Sequence, residues 1–245
     1  MKNLMVSVFN KLLRFSKQRN YFSDKTLVKI HNTAFVKGCN VIGKLEVGST
    51  SKVTDVLVSG RISIGSNSKV VGGVTMKGDI SIGNYSSLNG PNLDITAKVN
   101  KVTIGNFCSV SRNVSIQEYD HNFYNLSTYH ISQNVFGKDV LNDIKSKGDV
   151  IIKNDVWIGT QCVILSGVTI GNGVVVAANS VVTKDIPNFA VVAGSPAKVL
   201  KYRFSPEIIE KLNELKWWDW DNEKLKANEG VFSNELTMEK LKNLK

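Results

Sequence analysis

Three of the 245 residues are histidine, and two of them, His121 and His130, stand nine positions apart in one polar, aromatic stretch, EYDHNFYNLSTYH. Imidazole, with an ordinary pKa of about 6.5, can take a proton from a hydroxyl as a new bond forms and return it afterwards. Glu118 and Asp120 are the carboxylates at hand to orient such an imidazole. Asp120 is the weaker choice, because adjacent residues in an extended segment face opposite ways. His31 lies far upstream. A metal centre is not expected, since the three histidines are scattered and Cys39, Cys108 and Cys162 form no C-x-x-C pair. An odd number of distant cysteines argues against a disulfide framework and suits a reducing cytoplasm. A lone loop histidine is more often plain surface than catalyst, so the segments that would hold His121 decide the matter.

Those segments have a period of six. From Ile152 the chain reads IKNDVW, IGTQCV, ILSGVT, IGNGVV, VAANSV, VTKDIP, each block opened by an aliphatic residue: Ile152, Ile158, Ile164, Ile170, Val176 and Val182. The fifth places, Val156, Cys162, Val168, Val174, Ser180 and Ile186, are small or β-branched. Neither a helix nor a lone strand generates that period over 36 residues, whereas a stack of short strands and turns does. The expected fold is therefore an all-β parallel β-helix. Its aliphatic places face a narrow interior, Gly or Asn takes the corners, and stability comes from stacking.

A looser form of the repeat runs through Ile64, Val70, Met76, Ile82 and Leu88, breaks over 89–101, and resumes at Ile104, Val110 and Ile116. The period then stops from Gln117 to Gly148. So long an interruption between stacked coils must project outward, and its length marks it as functional. Cys108 falls on an inward fifth place, like Cys162. The expected division is a basic N-terminal helical segment at 1–30, a β-helix domain at 31–203 with a projecting loop at 117–149, and a helical tail at 204–245. In the tail, Ser205 is the expected N-cap, Pro206 opens the helix, and Ile208, Ile209, Leu212 and Leu215 form an apolar stripe. The Trp217-Trp218-Asp219-Trp220 cluster is read as a lid packed on the coil.

The net charge of +10 is uneven: residues 1–30 carry seven Lys or Arg against one Asp, and residues 201–245 carry nine of each sign. Nucleic acid is not an expected partner, because the basic residues are not interleaved with aromatics. No apolar run approaches the roughly 20 residues that span a bilayer, and the first residues lack the apolar centre and cleavage site of a signal peptide. A basic amphipathic start at 1–20 leaves room for peripheral contact with the inner face of the membrane.

With its run of Ile-Gly-x-x-small blocks, DVWIGTQCVILSGVTIGNGVVVAANSVVTKDIPNFAVVAGSPAKVL, and the following RFSPEIIEKLNELKWWDW, the chain resembles the hexapeptide-repeat acyltransferases, in their xenobiotic and sugar O-acetyltransferase branch. The resemblance covers residues 100–228; the first hundred share only the hexad habit. It implies a left-handed β-helix, a homotrimer and acetyl-CoA as co-substrate. It makes His121, in Asp120-His121 ahead of Trp157-Ile158-Gly159, the base that activates an acceptor hydroxyl for attack on the thioester. It puts Trp157 and Thr160 beside the acyl and pantetheine end, Ala177 and Ala178 on the pantetheine amides, and Thr183, Lys184, Lys198, Lys201 and Arg203 on the phosphates. Asp-His replaces the Asn-His of the drug-acetylating branch, which favours a carbohydrate acceptor in a surface or capsular polysaccharide or its precursor. Three alternatives stay open: N-acetylation of a nucleotide-linked amino sugar, O-acetylation of an antibiotic, and a non-catalytic scaffold.

Overall fold

The six-residue step of the sequence becomes an eighteen-residue coil. In the computed structural model, which describes residues 19–244, Ile152 pairs with Ile170, Ile158 with Val176 and Ile164 with Val182, always as parallel strands. Three hexads therefore close one turn, giving a parallel β-helix with three flat faces and three corners. On the first face stack Ser87–Asn89, Ser109–Val110, Trp157–Ile158 and Val175–Val176. On the second stack Ser115–Gln117, Val163–Ile164 and Val181–Val182, and on the third Val150–Ile152 and Thr169–Ile170.

The inward aliphatic places form continuous columns. On the second face Val58, Met76, Ile95, Ile116, Ile164 and Val182 are register partners from coil to coil, and all are fully buried. Burying each such side chain contributes about 1.5–3 kcal/mol, but only when another coil covers it. All three cysteines lie inside the column, Cys39 included, and burial pushes the Cys108 thiol up to about 12. They behave as small apolar fillers.

The looseness of the first hundred residues has a geometric cause. Val41 pairs with Val58 seventeen residues on, Ile62 with Ile80 eighteen on, and Ile82 with Ile104 twenty-two on. The longest coil takes up one extra residue between Asn89 and Leu93 and three more over Ala97–Asn100, where the register between Lys77 and Asp79 shifts. This is the break read at 89–101. The coil also begins before the expected boundary at residue 31. Tyr21–Phe22 and Val28–Ile30 are strands paired in parallel with Asn40–Val47, so 21–30 is β-helix rather than helical segment. Only a single 3-10 turn, Lys25–Leu27, separates the two strands, because pairing with an already formed coil holds the rest extended. The rest of the basic segment, residues 1–18, lies outside the described residues.

Corners require left-handed backbone, and not only glycine supplies it. Tyr85, Phe107 and Phe189 take φ of +58°, +58° and +59° on one corner. Such a conformation costs a residue with a Cβ about 1–2 kcal/mol, and packing offsets it here. The Tyr85 and Phe107 rings stack at 4.8 Å, Phe107 meets Trp217 at 4.9 Å, and Phe189 is buried with Leu212, Trp218 and Leu241. The tail thus packs as a lid on this corner. Its first helix is Pro206–Leu215, although the Ser205 hydroxyl caps no helix N–H.

On the corner between the second and third faces, Gly43, Gly60 and Gly78 stack with φ of +114°, +123° and +109°. A Cβ on Gly78 would lie 1.5 Å from the Ala97 carbonyl oxygen. Gly78→Ala should therefore lower the unfolding free energy by at least about 1–3 kcal/mol in urea titration. Gly230→Ala, where a Cβ meets nothing within 4 Å, should leave it within about 1 kcal/mol of the parent.

Candidate active site

The long loop leaves the column without disturbing it. Ile116 pairs with Ile164 across forty-eight positions, one coil plus a thirty-residue insertion, so the strands on either side keep their phase. Its two ends run together as an antiparallel pair, Tyr119–His121 against Ile144–Ser146, with His121 opposite Ile144. A buried polar knot ties the root. The Glu118 carboxylate accepts from the backbone N–H groups of Lys98 and Val99 at 2.8 and 2.9 Å and from the Asn100 amide at 3.1 Å. The Glu118 carbonyl accepts from the hydroxyls of Ser166 and Ser146 at 2.5 and 3.0 Å. The bulge of the longest coil and the root of the loop are thus one structure. Burial works to raise the Glu118 carboxyl, yet the bonds from Ser146 and the 98–100 backbone hold it below the usual range.

Among the described residues Glu118 makes no bond to the imidazole, and both its oxygens are engaged at the bulge. His121 is held instead by the Thr128 carbonyl, 2.5 Å from Nδ1. A carbonyl only accepts, so Nδ1 carries the hydrogen and Nε2 keeps its lone pair. That is the tautomer a general base requires. Sequence reasoning could not find this partner, since a backbone carbonyl has no signature in residue type. The His130 ring stacks on His121 at 4.3 Å. Asp143, buried in the loop, accepts from the backbone N–H groups of Ser132 and Gln133 at 3.0 Å each and so fixes the turn that carries His130. Burial opposes ionisation there too, but these bonds hold the Asp143 carboxyl below its ordinary range.

The residues expected on the coenzyme are spread over the column. Thr183 and Lys184 follow the second-face strand Val181–Val182, on the corner from which the loop departs, two coils from its root or about 10 Å along the axis. Trp157 stands exposed on the first face. Thr160, Ala177 and Ala178 lie on the corner between the first and second faces, where the Thr160 hydroxyl donates to the Arg112 carbonyl at 2.9 Å. Lys198 and Lys201 sit on Ala197–Tyr202, which pairs antiparallel with Ala190–Gly194 at the column's end. Arg203 departs from expectation. Its guanidinium bonds the Asp155 carboxylate and the Gly173 carbonyl, each at 2.8 Å, on the corner under the tail. It is a clamp between tail and coil. The flat second face separates His121 from Trp157 and Thr160 within one chain.

Residues 149–184 match the family model described as bacterial transferase hexapeptide (six repeats). A protein of Lysinibacillus sphaericus, named a probable macrolide acetyltransferase, is 37% identical over 151 residues, covering 58% of this chain and 83% of that one. WbbJ of Escherichia coli (strain K12), named for lipopolysaccharide biosynthesis as an O-acetyl transferase, is 37% identical over 116 residues, 47% of this chain. The chain spans 58% of that relative's length. Among solved structures, a variant of AntD, an N-acyltransferase from Bacillus cereus in complex with dTDP and coenzyme A, matches with a TM-score of 0.53 and 22% identity. The match covers 81% of this chain and 98% of that one, a likeness of fold.

Glu118 and Asp143 both have lowered folded-state pKa values. Their stabilisation is therefore full above the ordinary carboxylate values of about 4 and is lost as pH falls through the folded-state values. On acidification the loop should loosen before the coils do. Amide hydrogen exchange at Lys98, Val99, Ser132 and Gln133 should accelerate ahead of exchange at Ile164, and Glu118→Gln with Asp143→Asn should flatten that pH dependence.

Proposed function

The chain belongs to the hexapeptide-repeat acyltransferases, and on that footing we propose that it transfers an acetyl group from acetyl-CoA to a sugar hydroxyl of a surface or capsular polysaccharide or its precursor. His121 is the general base. Its Nε2 takes the proton of the acceptor hydroxyl while that oxygen attacks the thioester carbonyl. The C–O bond forms, the tetrahedral oxyanion collapses, the C–S bond breaks, and the protonated imidazole returns its proton to the departing thiolate. The observation that carries this reading is the bond from Nδ1–H to the Thr128 carbonyl, which leaves Nε2 as the free basic nitrogen. No helix among the described residues is long and apolar enough to cross a membrane, and a cytoplasmic enzyme meets acetyl-CoA where it is made.

The coenzyme lies along the column, and a homotrimer completes its groove. Within one chain the second face stands between His121 and the corner of Thr160, Ala177 and Ala178. A neighbouring chain docked on the loop brings its own copy of that corner, with Trp157, up to the imidazole. Exposed apolar side chains at the loop tip, Phe123, Tyr124 and Leu126, support such docking because a second chain would cover them. Thr183, Lys184, Lys198 and Lys201 then meet the phosphates. The macrolide-acetylating relative keeps antibiotic O-acetylation as the second reading. The cleft beside His130, lined by lysines and hydroxyl-bearing side chains, favours the sugar.

His121→Ala should lower kcat by roughly 10²–10⁴-fold, with little change in KM for acetyl-CoA, in a free-thiol release assay over a panel of polysaccharides, nucleotide sugars and antibiotics. Near-parent turnover would remove His121 from the mechanism. Co-refolding His121→Ala chains with Trp157→Ala/Ala178→Arg chains, altered on the corner that the neighbour contributes, should restore part of the activity that each variant lacks alone, because mixed trimers contain some intact sites. Absence of any recovery would put both sets of residues in the same chain's site.

A further inference from the structure

Beside the His121–His130 pair the loop does not lie flat on the coils. It roofs a cleft of about 460 Å³ against the second face and its glycine corner, a volume in the range of small-molecule sites. Gly60 and Gly78 give it a floor of bare backbone, and Tyr119 and His130 come from the loop. Lys77 and Lys98 stand at its rim, both exposed, and among the described residues neither ammonium has a carboxylate within ion-pair distance. Two buried acids stand near the cleft: Glu118 has its oxygens taken by the Lys98 and Val99 backbone and the Asn100 amide, and Asp143, which faces His130, has its oxygens on the backbone N–H groups of Ser132 and Gln133. The His130 Nε2 atom is buried and has no hydrogen-bond partner among the described residues. A buried polar atom left without a partner is destabilising, and a ligand atom that pairs with it recovers that loss.

Two unpaired ammonium groups and one unpartnered ring nitrogen around a backbone floor form a receptor for an anion. We propose that this cleft binds a carboxylate or phosphate carried by the acceptor sugar, with Lys77 and Lys98 as the charge partners and His130 as the hydrogen-bond donor. The inference rests on the acetyl-transfer reading and narrows its acceptor to an anionic saccharide. The stacked rings put the bound anion one imidazole away from the base, so a hydroxyl of the same sugar unit is the one His121 reaches. His130 serves here as a binding residue, not as a second base.

The test is calorimetric binding in the absence of acetyl-CoA, with a hexuronate oligosaccharide, a hexose phosphate and a neutral hexose oligosaccharide as probes. At least one anionic probe should bind more tightly than the neutral one. Lys77→Ala/Lys98→Ala should weaken it by tenfold or more, and His130→Phe, which keeps the stacked ring, by a smaller factor. A loss confined to the hexuronate identifies the anion as carboxylate, and a loss confined to the hexose phosphate identifies it as phosphate. Equal binding of all three probes, binding of none, or anionic binding untouched by the lysine substitutions overturns the proposal. Thiol release measured separately keeps the two readings apart. Turnover with neutral acceptors unaffected by the lysine variants leaves acetyl transfer standing without an anion site, whereas anion binding with no thiol released by any acceptor removes acetyl transfer alone.

Discussion

Everything in this chain depends on the stacking of inward aliphatic side chains at one-coil intervals. No single rung buries its own inner face; each is covered only by the rungs above and below. Ile116, Ile164 and Val182 are fully buried because they are register partners, and a coil inserted out of phase would turn an aliphatic place toward water. The column therefore tolerates additions only where they leave the phase untouched. The long loop meets that condition with thirty residues between partners forty-eight apart, and the bulge at Ala97–Asn100 meets it by absorbing its excess at a corner.

The second constraint is that an excursion must be closed at its root. A projecting loop that carries the proposed base would be useful only if that base stayed in one place, and the closure here is polar because it sits where backbone leaves the ladder. Glu118 satisfies the backbone N–H groups released by the bulge, while Ser166 and Ser146 satisfy the carbonyl of Glu118 itself. Two departures from regularity, one in each half of the chain, saturate one another's hydrogen-bonding groups. Further out, Asp143 repeats the device for the turn that carries His130, and the Thr128 carbonyl does it for His121.

The parts legible in the sequence are those written in residue type at a fixed interval. Hexads from Ile152 to Pro187 gave the coil, its inward places and its corners, and the sudden loss of period at Gln117 located the loop with its histidines. Other features had no such signature. The strands at Tyr21–Phe22 and Val28–Ile30 are too short to show a period, and they exist because Asn40–Val47 offers an edge to pair with. Glu118 looked like an orienting carboxylate because proximity in sequence was the only measure available, whereas the fold turns it inward to the bulge. Arg203 stood in line with the lysines of the last coil, yet Asp155, forty-eight residues earlier, shares its corner. Aromatic residues in left-handed corners contradict local preference and become affordable only through the tail that packs on them, which for Phe107 comes 110 residues later at Trp217.

A division of labour between the two halves of the column follows. The coils after Ile152 keep an eighteen-residue step as far as Val182 and shorten to sixteen only at Ile186 and Val192, a regularity that would suit the long, thin co-substrate proposed for them. The earlier coils vary between seventeen and twenty-two residues, and the largest of their register shifts falls at the corner of Gly78 and Lys98, under the loop. Irregular backbone is where shape can be specific, because each extra residue displaces a side chain that a strict repeat would fix. On the acetyl-transfer proposal, recognition of the acceptor would fall to the part of the chain whose repeat is least strict. The one feature both halves share is the root of the loop, and His121 stands on the strand that leaves it.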